Sequence, residues 1–169
     1  QAQAFLAWAD LTFAKTELVR LYRFAVPEIS RDGVLHLHRA RHPLLLWYRA
    51  GKRLKNPDLE ELFREVVPLD LELGRDFRIL VVTGPNTGGK TVALKTIGLA
   101  SVMAASGLPV ACSSPTRIPF YREIFIDVGD EQSLQQSLST FSSHMRHVVR
   151  IVKEAQKADL VLLDELGSG

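Results

Sequence analysis

The sequence predicts an α/β domain: a largely parallel sheet flanked by helices and preceded by the end of a long helix. Three observations carry that expectation. Apolar strand-like runs alternate with helix-length segments along most of the 169 residues, the order that builds parallel sheets. A glycine-rich loop, "GPNTGGKT" at 84–91, lies between the apolar run "RILVVT" (78–83) and a helix-like stretch. A second apolar run, "LVLLDE" at 160–165, ends in two carboxylates, and α/β sheets bind ligands at that end of their strands.

Composition sets the bounds. The chain is 46% hydrophobic, enough for one domain with a real core. Its net charge of +2 is too small to point to nucleic acid by itself. A single cysteine, Cys112, rules out an intrachain disulfide and suits a reducing, cytoplasmic setting. Asp10, Lys15, Glu17 and Arg20 interrupt the N-terminal stretch, so it is not a signal peptide. Residues 96–116 carry no charge and are long enough to span a bilayer. Gly107, Pro109 and Pro115 break them, so a buried helix followed by a strand is expected and no membrane span. The ending "LLDELGSG" reads as an excised piece of a longer protein, with the domain incomplete at its C-terminus.

In chain order, Ala4, Ala7, Leu11, Ala14, Leu18, Leu21 and Ala25 form an unbroken three–four seam, a long helix packed on another helix and ended by Pro27. In "GVLHLHRARHPLLL", Val34, His36 and His38 alternate with Leu35 and Leu37, a half-buried strand. "RAGKRLKNPD" is a polar loop with Pro and Gly, and "VVPLDLEL" a second alternating strand before Gly74. "RILVVT" is a β-branched strand, followed by a helix from Lys90 to about Ser106. "PVACS" and "EIFIDV" are further strands. From Phe141 to Lys157, Met145, Val148, Val149, Val152 and Ala155 share a helical face. "ADLVLLDE" is a buried strand. The boundaries are 1–30 for a helical end piece and 31–169 for the α/β domain.

The loop fits G-x-x-x-x-G-K-[ST], the phosphate-binding pattern. A backbone that curls around a polyphosphate with its N–H groups inward leaves little room for side chains at Gly84, Gly88 or Gly89. The helix starting near Lys90 adds unpaired N–H groups and a positive dipole end. Gly84, Pro85, Asn86, Thr87, Gly88, Gly89, Lys90 and Thr91 are therefore the expected ATP-phosphate site. Lys90 is expected to reach the β- and γ-phosphates and the Thr91 hydroxyl to ligate Mg²⁺. Asp164 is suited to hold the same Mg²⁺, and Glu165 to polarise the attacking water.

"TGPNTGGKT" together with "STFSSHM" and "LLDELGSG" resembles the MutS family of ABC-type P-loop ATPases, and within it the bacterial MutS-two branch. The resemblance covers essentially the whole chain, with "ARHPLL" and "PLDLELG" matching the approach to the ATPase and residues 1–25 the end of lever helices. Thr87 stands where mismatch-recognising relatives carry methionine, and Thr91-Val92 where they carry serine-threonine. Both departures favour the MutS-two branch. The resemblance implies a homodimer sandwiching two ATP molecules, with Ser139 and Thr140 of one copy facing the nucleotide of the other and Ser139 completing its site in trans. It also implies a DNA clamp acting on branched DNA or recombination intermediates, suppression of homologous recombination, and a Smr endonuclease domain outside this chain. Stalled ribosomes are a further target suggested by relatives. Asn86 is expected, by the same resemblance, to sense the γ-phosphate.

Two other function classes use the same loop: a small-molecule phosphotransferase, which requires an acceptor pocket, and a nucleotide-gated module without catalysis, which has no need of Glu165. His36, His38 and His42 do not make a zinc site by spacing, since His36 and His38 sit on a polar strand face. His144 and His147 are read as a solvated or interface pair. "RARHPLLLWYRAGKRLK" mixes basic and aromatic residues, as nucleic-acid surfaces do, but is read as a solvated charged loop.

Overall fold

The computed structural model describes residues 1–51, 58–85, 88–128 and 137–164, the last span with side chains from residue 145 onward. The chain divides into two compact units, residues 1–80 with 99–120, and residues 81–98 with 121–169.

The first unit opens with α1 (Ala2–Tyr22). The helix stops short of Pro27 because Arg23 turns left-handed, at φ 54°, and the Phe24 amide donates to Leu18 O at 3.2 Å. Ala25 therefore leaves the expected seam and forms an antiparallel bridge with Val110. Only the end of α1 reaches the core, where Leu18 and Tyr22 pack against Phe24, Leu46, Leu62 and Val66. Phe5, Trp8 and Phe13 are exposed.

The strands β1 (Glu28–Ser30), β2 (Leu35–Ala40), β3 (Leu69–Leu73) and β4 (Ser113–Pro119) form one sheet in the order β1-β4-β2-β3. Leu35 and Leu37 of β2 are fully buried while His36 and His38 lie on the other face, as the alternation predicts. Each buried leucine stabilises the unit by roughly 1.5–3 kcal/mol. On the outer face, His36 Nδ1 meets Glu72 at 3.1 Å and His38 Nδ1 meets Asp70 at 2.9 Å. The two histidines thus face cross-strand carboxylates.

This sheet is mixed, which corrects the expectation of a largely parallel one. β1 runs parallel to β4, but β2 is antiparallel to both β3 and β4. The direction of β3 is set between β2 and β3, where α2 (Pro43–Ala50) and α3 (Leu59–Glu65) replace what the sequence suggested was strand end and loop. One helix between strands returns the chain for parallel entry; a helix pair reverses it once more. Local signals for both helices exist. Pro43 stands at the first position of α2, with Leu46 and Ala50 buried four apart. Asp58 caps α3 by accepting from the amides of Glu60 (3.0 Å) and Glu61 (3.2 Å).

Arg41 ties these helices to the sheet from a buried position. Its Nε donates to Val66 O at 2.9 Å and Nη2 to Phe63 O at 3.3 Å, satisfying carbonyls left over at the end of α3. Its guanidinium lies 4.4 Å from the Phe63 ring centroid. Desolvation lowers the Arg41 pKa, with Arg39 adding repulsion.

Cys112 is buried, and desolvation pushes its thiol up to about 12. At pH 8 only about one thiol in 10⁴ is then ionised, so iodoacetamide is expected to label the native chain far more slowly than the urea-unfolded one. Equal labelling rates would contradict this burial.

The second unit holds the first nine residues of α4 (Lys90–Ala105), the parallel pair β5 (Ile124–Asp127) and β6 (Leu160–Leu163), and α5 (Ser137–Glu154). α4 begins at the expected residue. Here the parallel expectation is met, with Phe125 opposite Val161 and Asp127 opposite Leu163. A fork pair closes the N-terminal end of the two strands: Arg122 Nε and Nη2 donate to the Asp159 carboxylate at 2.9 and 2.6 Å. The Arg122 hydrogen bonds hold the Asp159 carboxyl below the usual range. α5 packs on β5 through a narrower stripe than expected. Ile151 is buried and Val148 partly so, whereas Val149 and Val152 are exposed.

The run 78–83 is not a strand. Ile79 and Val81 are 82% and 77% exposed, and no ladder partner reaches them among the described residues. An apolar run becomes a strand only when another strand takes up its backbone groups. "PVACS" likewise contributes only the Val110 bridge before β4 begins. No helix among the described residues is long and apolar enough to cross a membrane.

Candidate functional site

The glycine loop leads directly into α4. Gly84 and Gly89 stand at φ 135° and 84°, conformations that residues with a Cβ avoid. A Cβ at either would meet nothing within 4 Å, and one at Gly88 only Pro85 Cγ at 4.0 Å. The visible requirement for glycine at 84 and 89 is thus backbone conformation rather than room. The Gly88 amide donates to Pro85 O at 3.0 Å. Lys90, at the helix start, folds back so that its Nζ donates to Gly84 O at 2.5 Å. The Ala93 amide donates to Gly89 O at 2.9 Å, so the helix is under way within one turn of the loop.

The next residue makes the longest-range contact of the site. Thr91 Oγ1 donates to Asp164 Oδ2 at 2.5 Å, across 73 residues of sequence. Asp164 follows directly on β6 and is 8% exposed. Its amide donates to Asp127 O at 2.9 Å, locking it to the end of β5. What brings the two partners together is visible at Gly98, seven residues from Thr91 and so on the same helical face. A Cβ at Gly98 would come within 3.1 Å of Leu162 Cδ1 and 3.2 Å of Ile126 Cδ1. The absent side chain lets α4 lie close over β5 and β6, and the same face then meets Asp164 one heptad earlier. Donor and acceptor are both hard oxygens at a sheet's carboxyl end, a set suited to a divalent cation such as Mg²⁺.

Gly84, Pro85, Gly88, Gly89, Lys90 and Thr91 thus lie together at the start of α4, and the Thr91 contact brings Asp164 to them. Asn86, Thr87 and Glu165 lie outside the described residues. Ser139 and Thr140 fall in the first turn of α5, with side chains outside the described set. Asp127, which sequence reasoning passed over, ends β5 beside Asp164 in half-buried surroundings. Its signal was present: "EIFID" is an apolar strand closed by an acid, the same pattern as "LVLLD".

Comparison with known proteins gives the family. The model of MutS domain V matches residues 80–169. Three proteins named Endonuclease MutS2 are similar over nearly the whole chain. That of Caldanaerobacter subterraneus subsp. tengcongensis is 45% identical over 160 residues, 95% of this chain and 18% of the relative. That of Carboxydothermus hydrogenoformans is 48% identical over 160 residues, 95% of this chain and 18% of the relative. That of Alkaliphilus metalliredigens is 48% identical over 167 residues, 99% of this chain and 19% of the relative. The chain thus spans about a fifth of the length of these relatives. With a family match over more than half its residues, beginning just before the glycine loop and running past Asp164, the chain belongs to the MutS family, as a piece containing MutS domain V.

Proposed function

We propose that this chain is the nucleotide-binding and hydrolysing part of a MutS2-type ATPase, and that its parent uses ATP to open and close a dimeric clamp on DNA. The observation that carries the reading is the Thr91–Asp164 contact at 2.5 Å, which joins the phosphate-loop helix to the acid at the end of β6. In this reading the loop from Gly84 to Thr91 surrounds the triphosphate with backbone N–H groups, Asn86 and Thr87 included. Lys90 exchanges its contact with Gly84 O for the β- and γ-phosphates. Thr91 and Asp164 would hold Mg²⁺, whose bound charge would offset that of the phosphate oxygens. Glu165 orients a water and accepts its proton. Ser139 of a second copy reaches the same nucleotide from the N-terminal turn of α5.

Residues 1–30 then form the end of a lever that passes the motion on, and 31–169 the ATPase domain. The target of the clamp is branched DNA or a recombination intermediate. The nuclease named in the relatives resides in a part of the parent other than this chain.

The test uses full-length Glu165→Gln protein. ATP binding is expected to persist, phosphate release to fall about 10²–10⁴-fold, and light scattering with ATP to report an accumulating dimer. Undiminished turnover would remove the base assignment. Phosphate release measured with and without branched DNA separates a clamp from a phosphotransferase or a non-catalytic module.

A further inference from the structure

Among the described residues, two that are not glycine stand on left-handed backbone, and both are arginines: Arg23 at φ 54° and Arg39 at φ 48°. That conformation strains any residue with a Cβ and is the ordinary seat of glycine or asparagine. The two come from unrelated places. Arg23 caps α1, while Arg39 sits where the pairing of β2 slips against β3, between Leu37 and Ala40. Irregular strand positions of this kind re-aim side chains, and retained backbone strain gathers at binding sites.

Both arginines line the same cavity, which lies within the first unit and has a volume of about 300 Å³. Arg41 and Arg64 line it as well, so four of the described residues in its wall are arginines. Among the described residues, the one carboxylate in its wall is Glu60, which pairs with Arg23 at 3.5 Å. Arg41 has a structural duty there, holding the carbonyls of Phe63 and Val66. That duty does not extend to Arg39, whose amide is fixed by Asp70 at 2.8 Å. The backbone of the irregular stretch is thus held on both sides, the Arg39 amide by Asp70 and its carbonyl by Arg41 Nη1 at 3.4 Å, and Arg39 remains part of the cavity lining. Glycine at either left-handed position would relieve the strain, and arginine stands there instead.

We propose that this pocket binds a phosphate group, held by the guanidinium forks of Arg23, Arg39 and Arg64 beside the Arg41–Phe63 stack. The planar fork matches phosphate oxygens two at a time. The volume, at the small end for ligand pockets, suits one phosphate ester with a modest substituent. The ester is carried either by a free organophosphate or by the backbone of a single nucleic-acid strand.

The experiment uses the full chain with Lys90→Ala throughout, so that binding at the glycine loop is weakened and equal in every variant, and only the affinity lost with the arginines reports on this pocket. Inorganic pyrophosphate is titrated calorimetrically without Mg²⁺, and in parallel a short single-stranded oligonucleotide. Arg23→Gly and Arg39→Gly delete a guanidinium while relaxing the backbone, so thermal melting is expected to hold steady or rise. Each is expected to weaken binding about tenfold, and the pair about a hundredfold. Tighter binding of the oligonucleotide, falling steeply with salt, would identify a phosphodiester as the natural group; preference for pyrophosphate would identify a free organophosphate. Absence of binding by either probe, or undiminished affinity in the double variant, would overturn the proposal.

Discussion

Replacing Lys90 with alanine is expected to lower ATP turnover in the full-length protein by about 10²–10³-fold and to weaken ATP binding. Removal of one preorganised charge-stabilising donor commonly costs that much. Two separate losses add here. The ammonium group is the nearest cation to the loop on its own helix and would face the charge that develops on the transferred phosphate. In the structure it also bridges the loop, donating to Gly84 O at 2.5 Å, and so helps keep Gly84 at φ 135°. A calorimetric titration with ATP, set beside phosphate release at saturating ATP, separates the two. Loss of turnover with modest loss of affinity indicates charge stabilisation, while loss of both indicates loop collapse. Unchanged turnover would remove the loop from the ATP-site reading.

The legible part of the site was the part written in contiguous residues. The loop and the start of α4 at Lys90 could be read because three glycines, a lysine and a hydroxyl occur in fixed order before a helix. β6 could be read because an apolar run of four ends at an acid. Asp127 was passed over although "EIFID" repeats the pattern of "LVLLD", because nothing in sequence tells which strand-terminal acids share one end of a sheet; the Asp164 amide bonded to its carbonyl shows it. The first unit was harder still. α2 and α3 have eight and seven residues, too few for periodicity to separate helix from strand or loop. They lie on the path that brings β3 back antiparallel to β2, while β2 is antiparallel to β4 as well. The run 78–83 shows the opposite failure. Its β-branched composition is that of a strand, yet strand formation depends on a partner that local sequence does not specify. Arg23 was missed because a left-handed cap is normally signalled by glycine or asparagine.

A second large effect is expected at Gly74, which closes β3 against β2. Its φ of 101° lies outside what an L-residue adopts readily. In addition, a Cβ there would stand 2.5 Å from Gly33 O and 3.3 Å from both Gly33 C and Val34 Cα. These are backbone atoms and cannot swing aside as a side chain would. They also adjoin the Leu35–Leu73 pair that fixes the register of the two strands. The Gly74 amide meanwhile donates to Phe77 O at 2.7 Å, so the turn cannot retreat without breaking that bond. Strain and overpacking together put the cost of Gly74→Ala at about 3 kcal/mol, a fall in melting temperature of roughly 10 °C for a chain of this size. Gly33 supplies the control. It too is left-handed, at φ 78°, but a Cβ there meets nothing within 4 Å, so Gly33→Ala is expected to cost only the backbone strain, about 1 kcal/mol. Urea midpoints at constant slope measure both. Equal losses would mean that the β2–β3 edge yields to the added methyl, and that its register is not held by the close approach of Gly74 to Gly33.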